Sequence, residues 1–458
     1  MLVYILLQIL LVLLKGFNFV LKRICGYSLH SGLVKDQAAS KAEYDKCVHR
    51  CRIRFRAKPV ENLVACRNNF LLSHLSYECP SALLADNVSL MGFTPTSALF
   101  AVVPEDFDVY DSDHGAFFFM VQFSQAIEVL SIPLHHFIRF ADDLGDPKGN
   151  VVLLSNTGRC GSTLLTRMME GVPNTIALSE PDFITNIDLR LFSVRSRFRV
   201  TQANYPEFIQ NNPDKLLEAG IRVQCKPIKF RQVDNMILKT RNVSASLAAN
   251  VARVCPYVRH VFMYRAPRKN FTSYMSMVGA FPSILNNLFM PDVVEVMMNV
   301  ASPIHTNFDD VIELLIKDVR RDYNHLRCWA EVWCMLILCY LEYTNKGLVN
   351  FFPIDYDELI RAPEKNLRAL LSHCHMSPEN LEKCLRALSR DSQKGCNLSQ
   401  DNLRSRKREF TDKQEIMLNE VMRKFNFPDI DSWIDVFHLP TNENNNNNKS
   451  NNVIICEK

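Results

Sequence analysis

The sequence predicts an α/β fold in which helices cover both faces of a central parallel sheet. From about residue 150, short unbroken apolar runs alternate with longer stretches of helical periodicity. Strands that are apolar on both faces are typical of a parallel sheet buried on both sides. The expected strands are residues 150–155, 236–240, 260–265 and 348–356. The expected helices are residues 162–171, 244–253, 269–278, 308–317, 322–343 and 364–373.

The composition is that of an ordinary globular protein. The chain has 458 residues, of which 47% are hydrophobic and 22% charged, so it can bury a large core. The net charge is only +4, and no block of like charge is long enough to follow a phosphate backbone. The sequence therefore predicts no nucleic-acid partner.

Residues 1–24 are expected to form a membrane anchor. Their Leu, Val and Ile residues are interrupted mainly by Gln8, Lys15 and Asn18, and about twenty helical residues span roughly 30 Å, enough to cross a bilayer. A cleaved signal peptide or a membrane-surface helix are the alternatives, but the segment lacks a clear basic start or cleavage site. Basic residues follow the run, so the positive-inside rule places the remaining chain on the cytoplasmic side of a single-pass protein.

Residues 25–145 are expected to form a small accessory region, helical and basic to about residue 80 and then built from short strands and a helix. Four cysteines in this region leave two disulfides or a metal site open, although their spacing fits no standard zinc pattern: Cys47, Cys51, Cys66 and Cys79. Glycosylation triplets at Asn87, Asn242, Asn270 and Asn397 would be usable only in a lumen. They therefore argue against the cytoplasmic orientation.

The main domain is expected to span residues 150–435, and the asparagine-rich residues 440–458 have too few apolar side chains to fold. At the start of the domain, "LLSNTGRCGSTLL" (153–165) leads from a strand through Gly158 and Gly161 into a helix. Glycine turns before a helix present backbone N–H groups to a phosphate or sulfate, so the fold is P-loop-like. A nucleoside-triphosphate loop needs a lysine after its last glycine, and this chain has Ser162 there.

The segment "RCGST" (159–163) resembles the 5′-phosphosulfate loop of the sulfotransferases, which use 3′-phosphoadenosine 5′-phosphosulfate (PAPS). It departs from the family pattern only in having cysteine where the family has serine. The resemblance implies that this loop binds the 5′-phosphosulfate through five consecutive residues: Arg159, Cys160, Gly161, Ser162 and Thr163.

Later segments resemble the same family in the same order, so the resemblance covers residues 150 to about 430. In "HVFMYRAPRKNFTSY", Arg265 and Ser273 match the residues that bind the nucleotide 3′-phosphate. "FPIDYDELIRAP" resembles the segment whose aromatic residue, here Tyr356, lies near the adenine. "DSQKGCNLS" loosely resembles the loop that closes over the nucleotide, with Lys394 and Gly395 in the matching positions.

Two positions bear on the chemistry. Glu180 in "LSEPD" lies 21 residues after Arg159, where several sulfotransferases carry the general base. "MILKTR" resembles the cytosolic family's strand, but Arg241 replaces its catalytic histidine, and an arginine cannot accept a proton at neutral pH. Either Glu180 is the base, with Lys239 and Arg241 stabilising charge, or the protein no longer catalyses.

The resemblance thus implies a membrane-anchored sulfotransferase that moves a sulfuryl group from PAPS to a hydroxyl or amine. The acceptor, whether glycan, lipid, peptide or small molecule, is not identified by the sequence. No metal is called for, because the loop lacks the usual magnesium arrangement. The alternatives are a non-catalytic nucleotide-binding or scaffold protein and an ATP- or GTP-dependent kinase-like enzyme.

Overall fold

A computed structural model describes residues 44–58, 64–187, 206–278, 324–393 and 409–433, together with four isolated positions of the N-terminal run. Among these residues, no helix is both long and apolar enough to cross a membrane. The anchor predicted for residues 1–24 falls almost wholly outside the described residues and stays a prediction. The helix expected at 308–317, the positions Lys394 and Gly395, and the tail at 440–458 also lie outside them.

The accessory region folds as a five-stranded antiparallel sheet with the order β2-β1-β5-β4-β3. Its strands are β1 (Val48–Arg56), β2 (Phe70–Glu78), β3 (Val88–Phe93), β4 (Ser97–Val102) and β5 (Glu128–Pro133). The helix expected before residue 80 is therefore wrong over β1 and β2. In "VHRCRIRFR" an arginine occupies every second position from Arg50 to Arg56, and this period of two is the pattern of a strand.

The main domain contains a five-stranded sheet in which every neighbouring pair is parallel, as the sequence predicted. The strand order is β10-β9-β6-β8-β7, and the strands are β6 (Asn150–Asn156), β7 (Thr175–Ser179), β8 (Asn235–Lys239), β9 (Val258–Tyr264) and β10 (Phe351–Asp355). After β6 the chain forms the two strands on one side of it, β7 and β8, and then the two strands on the other side, β9 and β10. The carboxyl end of β6 is therefore the switch point where such sheets bind ligands.

Helices cover both faces of this sheet, which confirms the predicted layers. Alternate residues of β6 belong to different buried clusters: Val152 and Leu154 share one with Leu165 and Leu367, whereas Val151 belongs to another that includes Leu336. The helices are α1 (Phe118–Gln125), α2 (Leu134–Leu144), α3 (Ser162–Met169), α4 (Asp182–Ile187), α5 (Glu207–Gln210), α6 (Asp214–Gln224), α7 (Lys226–Phe230), α8 (Ala248–Val254), α9 (Pro267–Val278), α10 (His325–Asn345), α11 (Tyr356–Arg361), α12 (Pro363–His373), α13 (Leu381–Leu385) and α14 (Asp412–Lys424).

The accessory sheet packs directly on the main domain. Leu90 and Phe100 of the antiparallel sheet belong to the same buried cluster as Leu217 of α6 and Met236 of β8. A buried cation adds a polar link, because Lys226 Nζ donates to the carbonyls that precede β3, at 2.6 and 2.7 Å. Burial lowers the pKa of Lys226 to about 7. The two sheets thus share one hydrophobic core.

An aromatic cluster around Trp333 of α10 joins α9 to the C-terminal segment. The Trp333 side chain is fully buried, and its ring centroid lies 5.7 Å from Phe271, 6.3 Å from Phe427 and 5.0 Å from Trp433. Its indole N–H has no hydrogen-bond partner among the described residues. The contribution of Trp333 therefore comes from packing.

We expect Trp333→Ala to lower the free energy of unfolding by about 3–5 kcal/mol, because a large buried ring is lost. Trp333→Phe keeps a ring and removes an unpaired donor, so its cost should be about 1–2 kcal/mol. Leu348→Ala, at a half-exposed side chain, is the control and should change stability by less than about 0.5 kcal/mol. Denaturant unfolding of the full chain measures all three, and equal losses for the alanine and phenylalanine variants would contradict the packing account.

Candidate active site

The glycine loop follows β6 and turns through left-handed backbone conformations. The φ angles are 69° at Gly158, 51° at Arg159 and 82° at Gly161. A Cβ atom on Gly158 would lie 2.8 Å from the ring of Trp329, and one on Gly161 would overlap the ring of Tyr356. Only glycine fits these two positions. The turn therefore brings the backbone to the start of α3, where N–H groups and the helix dipole favour an anion.

Two asparagine side chains hold the loop to its neighbours. Asn156 accepts from the Gly158 N–H at 2.9 Å and donates to the Thr240 carbonyl at 2.8 Å. Asn270 donates to the Gly158 carbonyl at 2.7 Å and accepts from the Trp329 indole N–H at 2.9 Å. The loop is thereby bound to the end of β8, to α9 and to α10. Sequence reasoning assigned no such role to Asn156, Asn270 or Trp329.

These contacts also bear on the glycosylation triplets. Asn270 is fully buried, and its amide nitrogen is the atom that donates to the Gly158 carbonyl. A glycan on that nitrogen would remove the hydrogen bond and cannot be accommodated in this fold. The triplet at Asn270 is therefore no evidence for a lumenal protein.

Predicted residues from three distant segments meet at the loop. Arg159 Nε donates to Ser273 Oγ at 3.3 Å. The guanidinium of Arg265 lies 4.4 Å from the ring centroid of Tyr356, the ring that also covers Gly161. Arg265 Nε is buried and has no hydrogen-bond partner among the described residues. A buried donor without a partner is costly, and an anionic ligand here would satisfy it.

The side chain of Cys160 packs beneath the loop. It is fully buried, in the cluster that contains Leu154 and Leu165, and burial raises the pKa of its thiol. Ser162 and Thr163 form the first turn of α3 and are also buried. The side chain of Cys160 therefore fills the core beneath the loop.

Glu180 lies at the carboxyl end of β7, two strands from the loop. Its φ angle is 62°, and its N–H donates to the Lys239 carbonyl at 2.8 Å. Its carboxylate lies 2.6 Å from Lys239 Nζ and 3.8 Å from Arg241 Nε. The Lys239 side chain is only 3% exposed, whereas that of Glu180 is 20% exposed. Two cations thus position a carboxylate that solvent and ligands can reach.

Sequence reasoning missed Asp182, which explains why arginine stands at position 241. Arg241 Nη2 donates to Asp182 Oδ1 at 2.7 Å, and the backbone N–H of Ala65 donates to Asp182 Oδ2 at 2.7 Å. Burial raises the pKa of the Asp182 carboxyl, and the charge of Arg241 opposes that shift. Arg241 is therefore shared between two carboxylates. The acidic residue two positions after Glu180 was the available signal.

The accessory region supplies an aromatic wall to this end of the site. Phe117 lies 5.2 Å from Lys239 Nζ, and Phe119 lies 4.1 Å from the Arg241 guanidinium. Lys58 Nζ lies 5.3 Å from the same Phe119 ring. Aromatic faces attract cations, most strongly where water is excluded. The "FFF" stretch in residues 117–119 had no predicted role, and its signal was the aromatic repeat itself.

The arrangement places a glycine loop at a helix start and an accessible carboxylate at the same edge of the sheet. Asn242 Nδ2, beside Gly158, is a second buried donor with no hydrogen-bond partner in the described part of the chain. Over the described ranges, no group of three or more His, Cys, Asp or Glu side chains could hold a metal ion. The donors at the carboxyl edge suit a ligand with more than one negatively charged group.

Comparisons with known proteins return sulfotransferases among solved structures. A sulfotransferase from Alicyclobacillus acidocaldarius is 13% identical with a TM-score of 0.32, over 61% of this chain and 92% of that one. The sulfotransferase domain of the Synechococcus PCC 7002 olefin synthase is 14% identical with a TM-score of 0.30, over 62% and 96%.

A third structure, a sulfotransferase from Mycobacterium tuberculosis H37Rv, is 10% identical with a TM-score of 0.27, over 58% of this chain and 78% of that one. No protein-family model matches the chain, and no curated protein matches it. These identities and TM-scores are low.

Proposed function

We propose that this protein transfers a sulfuryl group from PAPS to a hydroxyl or amine of an acceptor. One observation carries the proposal: the residues matching the sulfotransferase motifs converge at the switch point of the sheet. Arg159 of the loop contacts Ser273, and Arg265 and Gly161 both contact the ring of Tyr356. These residues are up to about 200 positions apart in the chain. Their convergence at one loop is expected for a nucleotide-binding site.

The donors around the loop fit a nucleotide with phosphates at both ends of its ribose. The N–H groups of residues 160–163 would hold the 5′-phosphate, and Arg265 and Ser273 would hold the 3′-phosphate. Arg265 Nε has no hydrogen-bond partner within the described ranges, which supports this assignment, because a phosphate oxygen would complete its hydrogen bonding. Tyr356 would pack near the adenine. When bound, PAPS supplies the sulfuryl group that passes to the acceptor.

Glu180 would take the proton from the acceptor hydroxyl or amine. Its partners Lys239 and Arg241 hold the carboxylate in place, and Arg159 would stabilise negative charge that develops on the phosphate side, a role commonly worth about 3 kcal/mol per donor. Glu180 and Arg159 both have positive φ angles. Such conformations cost on the order of 1 kcal/mol or more in residues other than glycine and concentrate at functional sites.

We expect 3′,5′-ADP to raise the melting temperature of the full chain by several degrees at a hundred times its Kd, because binding then adds about 2.7 kcal/mol to stability. The 5′-nucleotide AMP, which lacks the 3′-phosphate, should have a smaller effect. ATP with magnesium should change little, since Ser162 replaces the lysine that triphosphates need. Stabilisation by ATP and magnesium but not by 3′,5′-ADP would favour the kinase-like alternative.

Arg265→Ala should weaken 3′,5′-ADP binding by roughly 1.5–3 kcal/mol, or one to two decades in Kd, because a charge-assisted hydrogen bond is lost. The matched control is Arg259→Ala. This arginine lies toward the opposite end of the same strand, β9, and contacts His375, so its loss should leave the affinity unchanged. Titration calorimetry measures both variants. Unchanged binding by Arg265→Ala would refute the nucleotide site.

Glu180→Gln should keep an oxygen for Lys239 but remove the base. Nucleotide affinity should then stay nearly constant while sulfate transfer falls on the order of 10²- to 10⁴-fold. Asp234→Asn, just before β8 at the opposite edge of the sheet, is the control and should retain activity.

Transfer of labelled sulfate from PAPS to a mixed pool of glycans, lipids and peptides is the assay. If Glu180→Gln retains transfer, the base lies elsewhere. If the parent binds 3′,5′-ADP but transfers nothing, the non-catalytic alternative holds.

A further inference from the structure

Two cysteines lie one position beyond the open end of the β1–β2 ladder. The last facing pair is Val48 and Glu78, and Cys47 and Cys79 are the residues that adjoin this pair on the two strands. Both are free thiols, Cys47 half-buried and Cys79 exposed. Facing residues of antiparallel strands have Cα atoms about 4.5–5.5 Å apart, which lies within the range that a disulfide spans.

The side chains around this pair also lie close to one another. Burial is the main cause that raises the pKa of Cys47 and of Tyr44; the Cys79 thiol adds to the first shift, and both thiols add to the second. The Tyr44 ring lies 4.2 Å from the Arg139 guanidinium and 5.3 Å from the His136 ring. Contacts with α2 therefore hold the segment that precedes β1 beside Cys79.

The other two cysteines of this group of four, Cys51 and Cys66, are not placed to pair. Cys51 is buried and faces His74 and Val129 across its two ladders, and its Sγ lies 3.3 Å from His49 Nε2. Cys66 lies just before β2, at the far end of the hairpin, about 25 Å away along a strand of this length. Of the two disulfides that the sequence left open, only one has facing partners.

We propose that Cys47 and Cys79 form a reversible disulfide that closes the open end of the β1–β2 ladder, with a small-molecule disulfide as the oxidant. The exposed Cys79 thiolate attacks one sulfur of oxidised glutathione, and the first glutathione thiol leaves. Cys47 then attacks Cys79 Sγ, and the second glutathione thiol leaves. The two protein thiols are oxidised, and their two protons and two electrons end on the two glutathione molecules.

The surroundings of the pair determine how the disulfide behaves. Burial is the main cause that raises the pKa of Cys47, to about 12, so the closing step is slow at neutral pH and speeds up as the pH rises. The disulfide joins residue 47 to residue 79 and so constrains the hairpin at the edge of the accessory sheet. Because disulfides persist in oxidising compartments, its state in cells would report whether this region lies in such a compartment. The proposal does not depend on the sulfotransferase assignment.

The test uses the full chain, reduced and then incubated with oxidised glutathione at about pH 8. Free thiols are blocked with N-ethylmaleimide, and the digest is mapped by mass spectrometry without reduction. We expect a peptide pair joined through Cys47 and Cys79 that disappears after treatment with dithiothreitol. The melting temperature should rise by about 5 °C or more on oxidation. Recovery of the two cysteines as separately blocked or glutathionylated thiols, or Cys79 joined to another cysteine, would overturn the proposal.

Matched variants check the assignment. Cys79→Ser should remove both the linked peptide and the rise in melting temperature, and because Cys79 is exposed its circular dichroism spectrum should match the parent's. Cys66→Ser, in the same hairpin, should retain both effects. A linked peptide that is lost in Cys66→Ser would show that the wrong pair was assigned. The map of the parent protein decides the proposal even if a variant does not fold.

Discussion

The candidate site depends on one buried amide, the side chain of Asn270. It donates to the Gly158 carbonyl and accepts from the Trp329 indole, so it joins the glycine loop, α9 and α10. Buried polar groups require hydrogen-bond partners. The loss of either contact would leave a buried polar group without its partner. The positions of these three elements are therefore mutually constrained. The left-handed turn of the loop and the start of α3 keep their geometry because this amide cannot move independently.

A second constraint acts at the ends of β7 and β8, where charges of opposite sign alternate. Lys239 is paired with the carboxylate of Glu180, and Arg241 is paired with the carboxylate of Asp182. The buried carboxylate also accepts from the Ala65 backbone, so the accessory region takes part in the same network. The Phe119 ring lies 4.1 Å from the Arg241 guanidinium. Ala65 and helix α1 of the accessory region thus contact this end of the site.

The accessory region contains strands where its basic sequence was expected to form a helix. Arginines dominate residues 50–56, and a basic stretch after an apolar run suggested a helix. The decisive property was the alternation of arginine with apolar or aromatic residues, because successive side chains of a strand point to opposite faces. In the pairing of β1 with β2, Val48 faces Glu78, so Cys47 and Cys79 adjoin the same end of the ladder. Spacing along the sequence does not reveal this relation.

The sequence by itself predicted the parallel sheet and the glycine loop, and its resemblance to the sulfotransferases pointed to Arg159, Arg265 and Ser273. These follow from local rules, since hydrophobic period, strand-to-helix turns and short motifs are properties of neighbouring residues. Only the tertiary structure decided which distant side chains support them. The contact between Asn270 and Trp329 and the pairing of Arg241 with Asp182 join residues 59 positions apart. Such pairings depend on how the strands are ordered and how the helices pack, which no local pattern specifies.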